Sequence, residues 1–362
     1  MFLTHIDESG EDTPAILIPN ATAANRAVNI PEFLNGPADA ILSISTPTQE
    51  SYRHYNDAAE LAKSNRLIEA MAEIEKSLEL HPFYANAHHD KGFILFKMGM
   101  HDEAIDCFKR TIELESDYAK AYNSIGFVLE SQGKVAQAIE YYNRALEVNP
   151  AQVNSLCNLG NILRTQGRLE EAASYYRKAL KIKPYLTEAH SNLGVVLQSQ
   201  GRLDEAISSY ERALELEPDY VPAHYNMGLV RQTQGRTEEA IGCFQKALEL
   251  QEDYTPARYT LASILQAQGD IERAIEQYRI VVQQDSEHAD AHYNLAVLLA
   301  KNNQFEQAFG HLRRVLQINP EHADAHYHMG GIFYRSGNLK LAVEHLNRAC
   351  LLYTSPSPRD RS

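Results

Sequence analysis

The sequence predicts an all-α solenoid of nine 34-residue helix–turn–helix repeats. Three observations predict it. Compared with itself, the chain matches at a spacing of 34 residues, with repeats starting at Ser51, Ala85, Ala119, Val153, Thr187, Val221, Thr255, Ala289 and Ala323 and no insertion between them. Counting each start as position 1, position 20 is alanine in every repeat: Ala70, Ala104, Ala138, Ala172, Ala206, Ala240, Ala274, Ala308 and Ala342. Each repeat also holds two stretches with apolar residues at helical spacing, such as Ala189–Leu197 and Asp204–Leu214.

The elements follow in order along the chain. Residues 1–50 carry no repeat, five prolines and polar interruptions, and are expected to be partly disordered or to cap the first apolar face. Within them, Thr46 reads as a helix cap with Pro47 at the first helical position, so the first helix is expected to start before Ser51. Helix A of each repeat has a small residue at position 8: glycine in six repeats, and Ala58, Ala262 and Ala296 in the others. Position 15 holds Gly99, Gly133, Gly167, Gly201, Gly235, Gly269 and Gly337, with Asn65 and Asn303 as replacements. These two residue types tolerate the left-handed conformation that ends a helix, which places the A–B turn there. Helix B carries a bulky residue at position 24 throughout, from Ile74 and Phe108 through Tyr142, Tyr176, Tyr210, Phe244 and Tyr278 to Leu312 and Leu346. Large side chains at 24 fit the gaps left by small ones. Proline at position 32 (Pro82, Pro150, Pro184, Pro218, Pro320) is expected to stop helix B.

These columns resemble the tetratricopeptide repeat family over residues 51–349, departing from it where Ser116, Glu252 and Ser286 replace the proline and where histidine stands at position 4. The resemblance implies a right-handed superhelix whose A helices line a concave, protein-binding surface, with ligand positions 2, 5, 6, 9, 12 and 13. At position 6 stand Asn158, Asn192, Asn226 and Asn294, whose amides can donate to and accept from a peptide backbone of any sequence. At position 5 stand Tyr225, Tyr259, Tyr293 and Tyr327, flat amphipathic side chains suited to an extended chain or, equally, to packing on the next helix. Positions 12 and 13 of the middle repeats are Gln198, Ser199, Gln232, Thr233 and Gln266, a polar groove with little charge. These eight asparagines and tyrosines are the expected peptide-binding residues.

A net charge of −14 disfavours nucleic acid and anionic membrane surfaces and favours a basic protein or peptide partner. The acidic N-terminus, the four scattered cysteines and the lack of an apolar run of membrane length point to the cytoplasm. No metal or cofactor is expected. His54, His88, His190, His224, His292 and His326 recur at position 4, and periodicity marks that column as structural although His288/His292 and His322/His326 have i, i+4 spacing. The sequence offers neither a phosphate-cradling glycine loop nor a nucleophile elbow, so no catalytic residue is assigned.

From Cys350 onward the string resembles a translated sequencing adaptor, and residues 350–362 are expected to be non-native, with the natural protein continuing past Ala349. Two functions are therefore compatible with the sequence. One is a scaffold that binds an extended peptide or partner protein in its concave groove. The other is the substrate-recruiting part of a truncated enzyme, since units such as Asn158–Ala172 resemble repeats of O-linked N-acetylglucosamine transferases; a sulfotransferase or methyltransferase domain could also follow such an array.

Overall fold

The computed structural model describes residues 47–354, which form eighteen α-helices joined by short turns and, among the described residues, no strand. The chain divides into two compact units, Met1–Asn158 and Leu159–Ser362. The first holds α1 (Gln49–Lys63), α2 (Leu67–Leu80), α3 (Ala85–Lys97), α4 (His101–Leu114), α5 (Ala119–Ser131), α6 (Val135–Val148) and the start of α7 (Val153–Thr165). The second takes up the rest of α7, then α8 (Leu169–Ile182), α9 (Thr187–Ser199), α10 (Leu203–Leu216), α11 (Val221–Thr233) and α12 (Thr237–Leu250). It continues with α13 (Thr255–Gln268), α14 (Ile271–Gln284), α15 (Ala289–Lys301), α16 (Phe305–Ile318), α17 (Ala323–Arg335) and α18 (Leu339–Thr354). Within each compact unit, consecutive helices pack on one another as A–B pairs, in the manner the sequence predicts.

The pairs close through positions 8 and 24. In the first compact unit Phe108 and Tyr142 are fully buried, and a Cβ added to Gly92 or Gly126 would lie 2.7 Å from the facing ring. In the second, a Cβ on Gly194 would come 2.5 Å from Cε1 of Tyr210, and one on Gly228 2.6 Å from Cε1 of Phe244. Real carbons do not approach so closely, so the glycine is what lets the A and B backbones meet at that ring. Where position 24 is Ile74 or Leu312, the facing residue is Ala58 or Ala296. The seventh repeat departs from this pattern, because it sets Ala262 against a tyrosine, Tyr278.

The turns take the expected form: Gly99, Gly133, Gly167, Gly201, Gly235, Gly269 and Gly337 have φ between 75° and 83°, and Asn65 and Asn303 have 57° and 59°. Here asparagine adopts a conformation that other side chains resist.

The end of helix B has a cause the sequence analysis missed. It stops at position 30 in all of the first eight repeats, including at Leu114, Leu250 and Gln284, whose repeats have Ser116, Glu252 and Ser286 in place of proline. In most repeats the carbonyl at position 32 is also held from the next helix A, Pro150 being an exception because Leu156 stands six residues on. His88, His190 and His224 each point Nε2 at the carbonyl six residues back (Pro82, Pro184 and Pro218, at 2.9, 2.9 and 2.8 Å). Where the proline is missing, Arg258 donates to the Glu252 carbonyl at 2.6 Å and His292 reaches that of Ser286 at 3.3 Å. A carbonyl oxygen turned away from helix B and captured in this way fixes the chain reversal with or without proline. The histidine column is therefore a latch between repeats.

The N-terminal cap also differs from expectation. Helix α1 begins at Gln49, and Thr48, not Thr46, caps it, its hydroxyl accepting from the Ser51 N–H at 3.1 Å. Residues 1–46, the bulk of the expected capping segment, lie outside the described residues, as does Thr46. Of the expected non-native tail, 350–354 continue α18 as helix through Thr354 and 355–362 lie outside the described residues.

Candidate functional site

Within each compact unit the A helices carry amides and hydroxyls that link one repeat to the next. In the first compact unit, Asn158 donates from Nδ2 to Oδ1 of Asn123 at 3.3 Å, and Ser155 donates to the same oxygen at 2.9 Å. Beside them the hydroxyl of buried Tyr142 donates to Glu130 at 2.7 Å. Burial pushes the Glu130 carboxyl up, and the hydrogen bond from Tyr142 opposes that shift.

In the second compact unit the pattern recurs. Asn192 donates to Oδ1 of Asn161 at 3.4 Å, and Tyr176 donates to the same oxygen at 2.6 Å. Tyr210 donates to Gln198 at 3.1 Å. Asn226 holds the corresponding place on α11, half-buried. Asn294 donates to two phenol oxygens, Tyr259 at 3.1 Å and Tyr278 at 3.3 Å, and Tyr278 shares a further 3.0 Å bond with Ser263.

The position 5 tyrosines lie where each A helix meets the next repeat. Tyr225 packs between Phe244 and Tyr254, with ring centroids 5.7 and 5.5 Å away. Tyr259 stacks on His288 at 4.8 Å, and Tyr293 lies 5.0 Å from His322. These three are half-buried, and burial raises the phenols of Tyr259 and Tyr293. Tyr327 is the exception at 55% exposed, with His328 as its ring neighbour.

A cavity of about 250 Å³ opens at the Asn294 end of this network, lined by Ser263, Gln266, Ala267, Ile271, Tyr278, Asn294, Leu298 and Lys301. Oε1 of Gln266 is buried in its wall and has no hydrogen-bond partner within the protein. Its walls come from the repeat that pairs Ala262 with Tyr278 and from α15 of the next repeat. The first of these repeats carries a methyl group, Ala262, at the position where the other ring-bearing repeats have glycine.

The network includes residues that the sequence reading did not assign to the site: Asn123, Asn161, Ser263 and the position 24 tyrosines. The signal was present. Each buried tyrosine at position 24 has a polar residue at position 9 or 12 of its own repeat; the repeat of Phe108 has Phe93 and Phe96 there, and that of Phe244 has Leu229 and Gln232.

The histidines sit differently from the i, i+4 reading. His288 caps α15, its Nδ1 accepting from the Ala291 N–H at 3.3 Å, while His292 meets His311 on the neighbouring helix B. Around His54 the structure brings carboxylates together, which the sequence reading of a purely structural column did not foresee. Glu73 approaches its Nδ1 to 2.5 Å, and Asp57 lies with them, all three ligand atoms within 4.8 Å of one another. Position 23 on helix B faces position 4 on helix A, a pairing that periodicity along one helix cannot reveal.

Models of the tetratricopeptide repeat match residues 85–118, then 117–184, 185–253 and 219–282, then 259–321 and 299–351. The chain belongs to the tetratricopeptide repeat family. Members of this family generally act as protein-interaction scaffolds that bind peptide or protein partners. Similar solved structures include PilF of Pseudomonas aeruginosa, 22% identical over 56% of this chain and 92% of its own, with a TM-score of 0.51. YrrB, a tetratricopeptide protein with an unusual peptide-binding site, is 30% identical over 52% of this chain and 96% of its own, with a TM-score of 0.41. MamA from Desulfovibrio magneticus RS-1 is 22% identical over 47% and 97%, with a TM-score of 0.43. A comparison with curated proteins returns no match. Among the described residues no helix of this tetratricopeptide chain is long and apolar enough to cross a membrane.

Proposed function

We propose that this protein binds an extended segment of a partner protein along the A helices, with the Asn294 cavity as its main subsite. The observation that carries the reading is the unpartnered Gln266 Oε1 in a cavity whose other wall is Asn294 and Tyr278. A buried acceptor without a partner costs roughly 1–3 kcal/mol, which a peptide N–H placed in the cavity would recover. Asn294 keeps its own carbonyl oxygen available while its amide nitrogen holds two phenols in place, so a peptide meets a preset acceptor. Within the second compact unit Asn192 and Asn226 extend the amide series, and Tyr225, Tyr259 and Tyr293 brace the helices that present it, while Tyr327 offers an open ring. The partner segment is expected to be neutral to basic, given the net charge of −14 and a polar groove.

Selection from a random peptide library, followed by calorimetry on the selected peptides, tests the reading. Asn294→Ala should weaken binding about threefold to tenfold, the worth of one or two hydrogen bonds. A library that yields no binder, or binders indifferent to Asn294→Ala and Asn192→Ala alike, would overturn it.

A further inference from the structure

The two histidine pairs of the last repeats share one geometry. Nδ1 of His292 lies 2.9 Å from Nδ1 of His311, and Nδ1 of His326 lies 2.9 Å from Nδ1 of His345. In both pairs the first ring points Nε2 at a backbone carbonyl, Ser286 at 3.3 Å and Pro320 at 3.1 Å. A carbonyl only accepts, so that Nε2 carries a proton, and the single-proton form of the ring then presents a bare Nδ1 lone pair to its partner. This is how ligating histidines are held: one ring nitrogen anchored by a carbonyl, the other free for a metal.

We propose that His292/His311 and His326/His345 are two chelating sites for a divalent late first-row transition cation such as Zn²⁺, each clamping helix A to helix B within its repeat. Imidazole nitrogen is a preferred donor for this class of ion. Two nitrogens about 2.0–2.1 Å from a tetrahedral ion stand roughly 3.3 Å apart, so each pair needs to open by only a few tenths of an ångström as the second ring turns. Coordination needs no net proton release from a neutral pair. The proton on Nδ1 of His311 or His345 moves to that ring's Nε2, and the freed lone pair binds the ion. Water completes the shell, because three of the four rings are only partly buried.

The surroundings distinguish the two sites. Burial disfavours the charged form of His292, His311 and His345. Around the first pair stand Arg314, Arg279 and His288 with Asp285, whereas His345 of the second has Glu344 as its charged neighbour. The His54, Asp57 and Glu73 cluster is a weaker candidate, because Lys76 already occupies the other oxygen of Glu73 at 2.6 Å.

Calorimetric titration of the chelator-treated full chain with ZnCl₂, with MgCl₂ as control, tests the assignment. The comparison variant is His311→Gln with His345→Gln. The seventh repeat already carries Gln277 at that position, accepting from Arg258 at 2.9 Å, so the fold accommodates the change, and circular dichroism checks it. The double variant should bind two Zn²⁺ fewer than the wild type and lose the zinc-dependent rise in melting temperature. Each single variant should lose one site. Zinc binding unchanged in the double variant, or no zinc binding by the wild type up to millimolar ion, refutes the proposal. A folded double variant that loses both sites while the imidazole nitrogen resonances of wild-type His292 and His326 shift with zinc supports it.

Discussion

Gly194→Ala puts the central packing device to the test. The added Cβ would lie 2.5 Å from Cε1 and 2.8 Å from both Cδ1 and Cζ of Tyr210, against an ordinary carbon contact of about 3.5–4.0 Å. Tyr210 cannot swing aside freely, since it is fully buried and its hydroxyl is bonded to Gln198. Helices α9 and α10 must part, at an overpacking cost of about 1–3 kcal/mol. Alanine in place of glycine within a helix returns about 1 kcal/mol, so the net loss is about 1 kcal/mol. Tyr210→Leu alone removes a ring and a hydrogen bond and should cost more, roughly 2 kcal/mol. Together the two changes recreate the alanine–leucine pair that Ala296 and Leu312 form, both buried, in the eighth repeat. The double variant should therefore be more stable than the sum of the singles by about 1–2 kcal/mol. Urea unfolding gives the cycle, and hydrogen exchange on α9 and α10 assigns it locally, because repeat arrays need not unfold in two states. Additivity within about 0.5 kcal/mol would show that the position 8 glycines are not matched to their rings.

The latch gives a second expectation: His224→Ala removes the 2.8 Å bond to the Pro218 carbonyl and should cost about 0.5–1.5 kcal/mol, read as faster hydrogen exchange at the α10–α11 junction, with no change marking the histidine as filler. Stability should also depend on pH through His311, which burial, and then the charges of His292 and Arg279, lower to about 4. The unfolded chain takes up that proton near pH 6.5, so urea midpoints should fall from pH 6.5 toward 4 and stay level above it, and His311→Gln should flatten the slope. The α17–α18 pair should exchange fastest in the second compact unit, because Leu339, Val343, Leu351 and Tyr353 are all more than half exposed; protection there equal to that of α9 would contradict this.

Features set by steric fit along one helix pair were legible in the sequence, and features set by contact across repeats were not. The alternation of Gly194 with Tyr210 and the turn at Gly201 follow from residue types alone, since size and backbone freedom are intrinsic to them. The meaning of His224 was hidden because its partner is a backbone carbonyl, which every residue has and no sequence pattern marks. Arg258 shows why the column looked irregular: arginine and histidine both present an N–H at that reach, so either serves the Glu252 or Pro218 carbonyl. The candidate site was half legible. Asn192 and Asn294 stood out by repetition, while Asn161 and Ser263 did not, because different polar groups meet the same phenol oxygen equally well.

At the seventh repeat the regular ring–glycine packing lapses beside the proposed binding cavity. Ala262 breaks the rule that a ring at position 24 faces glycine, and the same repeat has Arg258 for histidine, the Asn294 bonds to two phenols and the cavity with the unpaired Gln266 oxygen. If the methyl holds the cavity open, Ala262→Gly lets the Tyr278 ring settle toward α13 as Tyr210 does toward α9. The variant should gain in packing what it loses in helix propensity, about 1 kcal/mol each way, and so remain close to wild type in stability. Peptide binding should nevertheless weaken, because Gln266 and Asn294 would no longer flank a space a backbone can enter. Full binding by a folded Ala262→Gly variant would separate the cavity from the methyl group and leave the amide series alone as the binding feature.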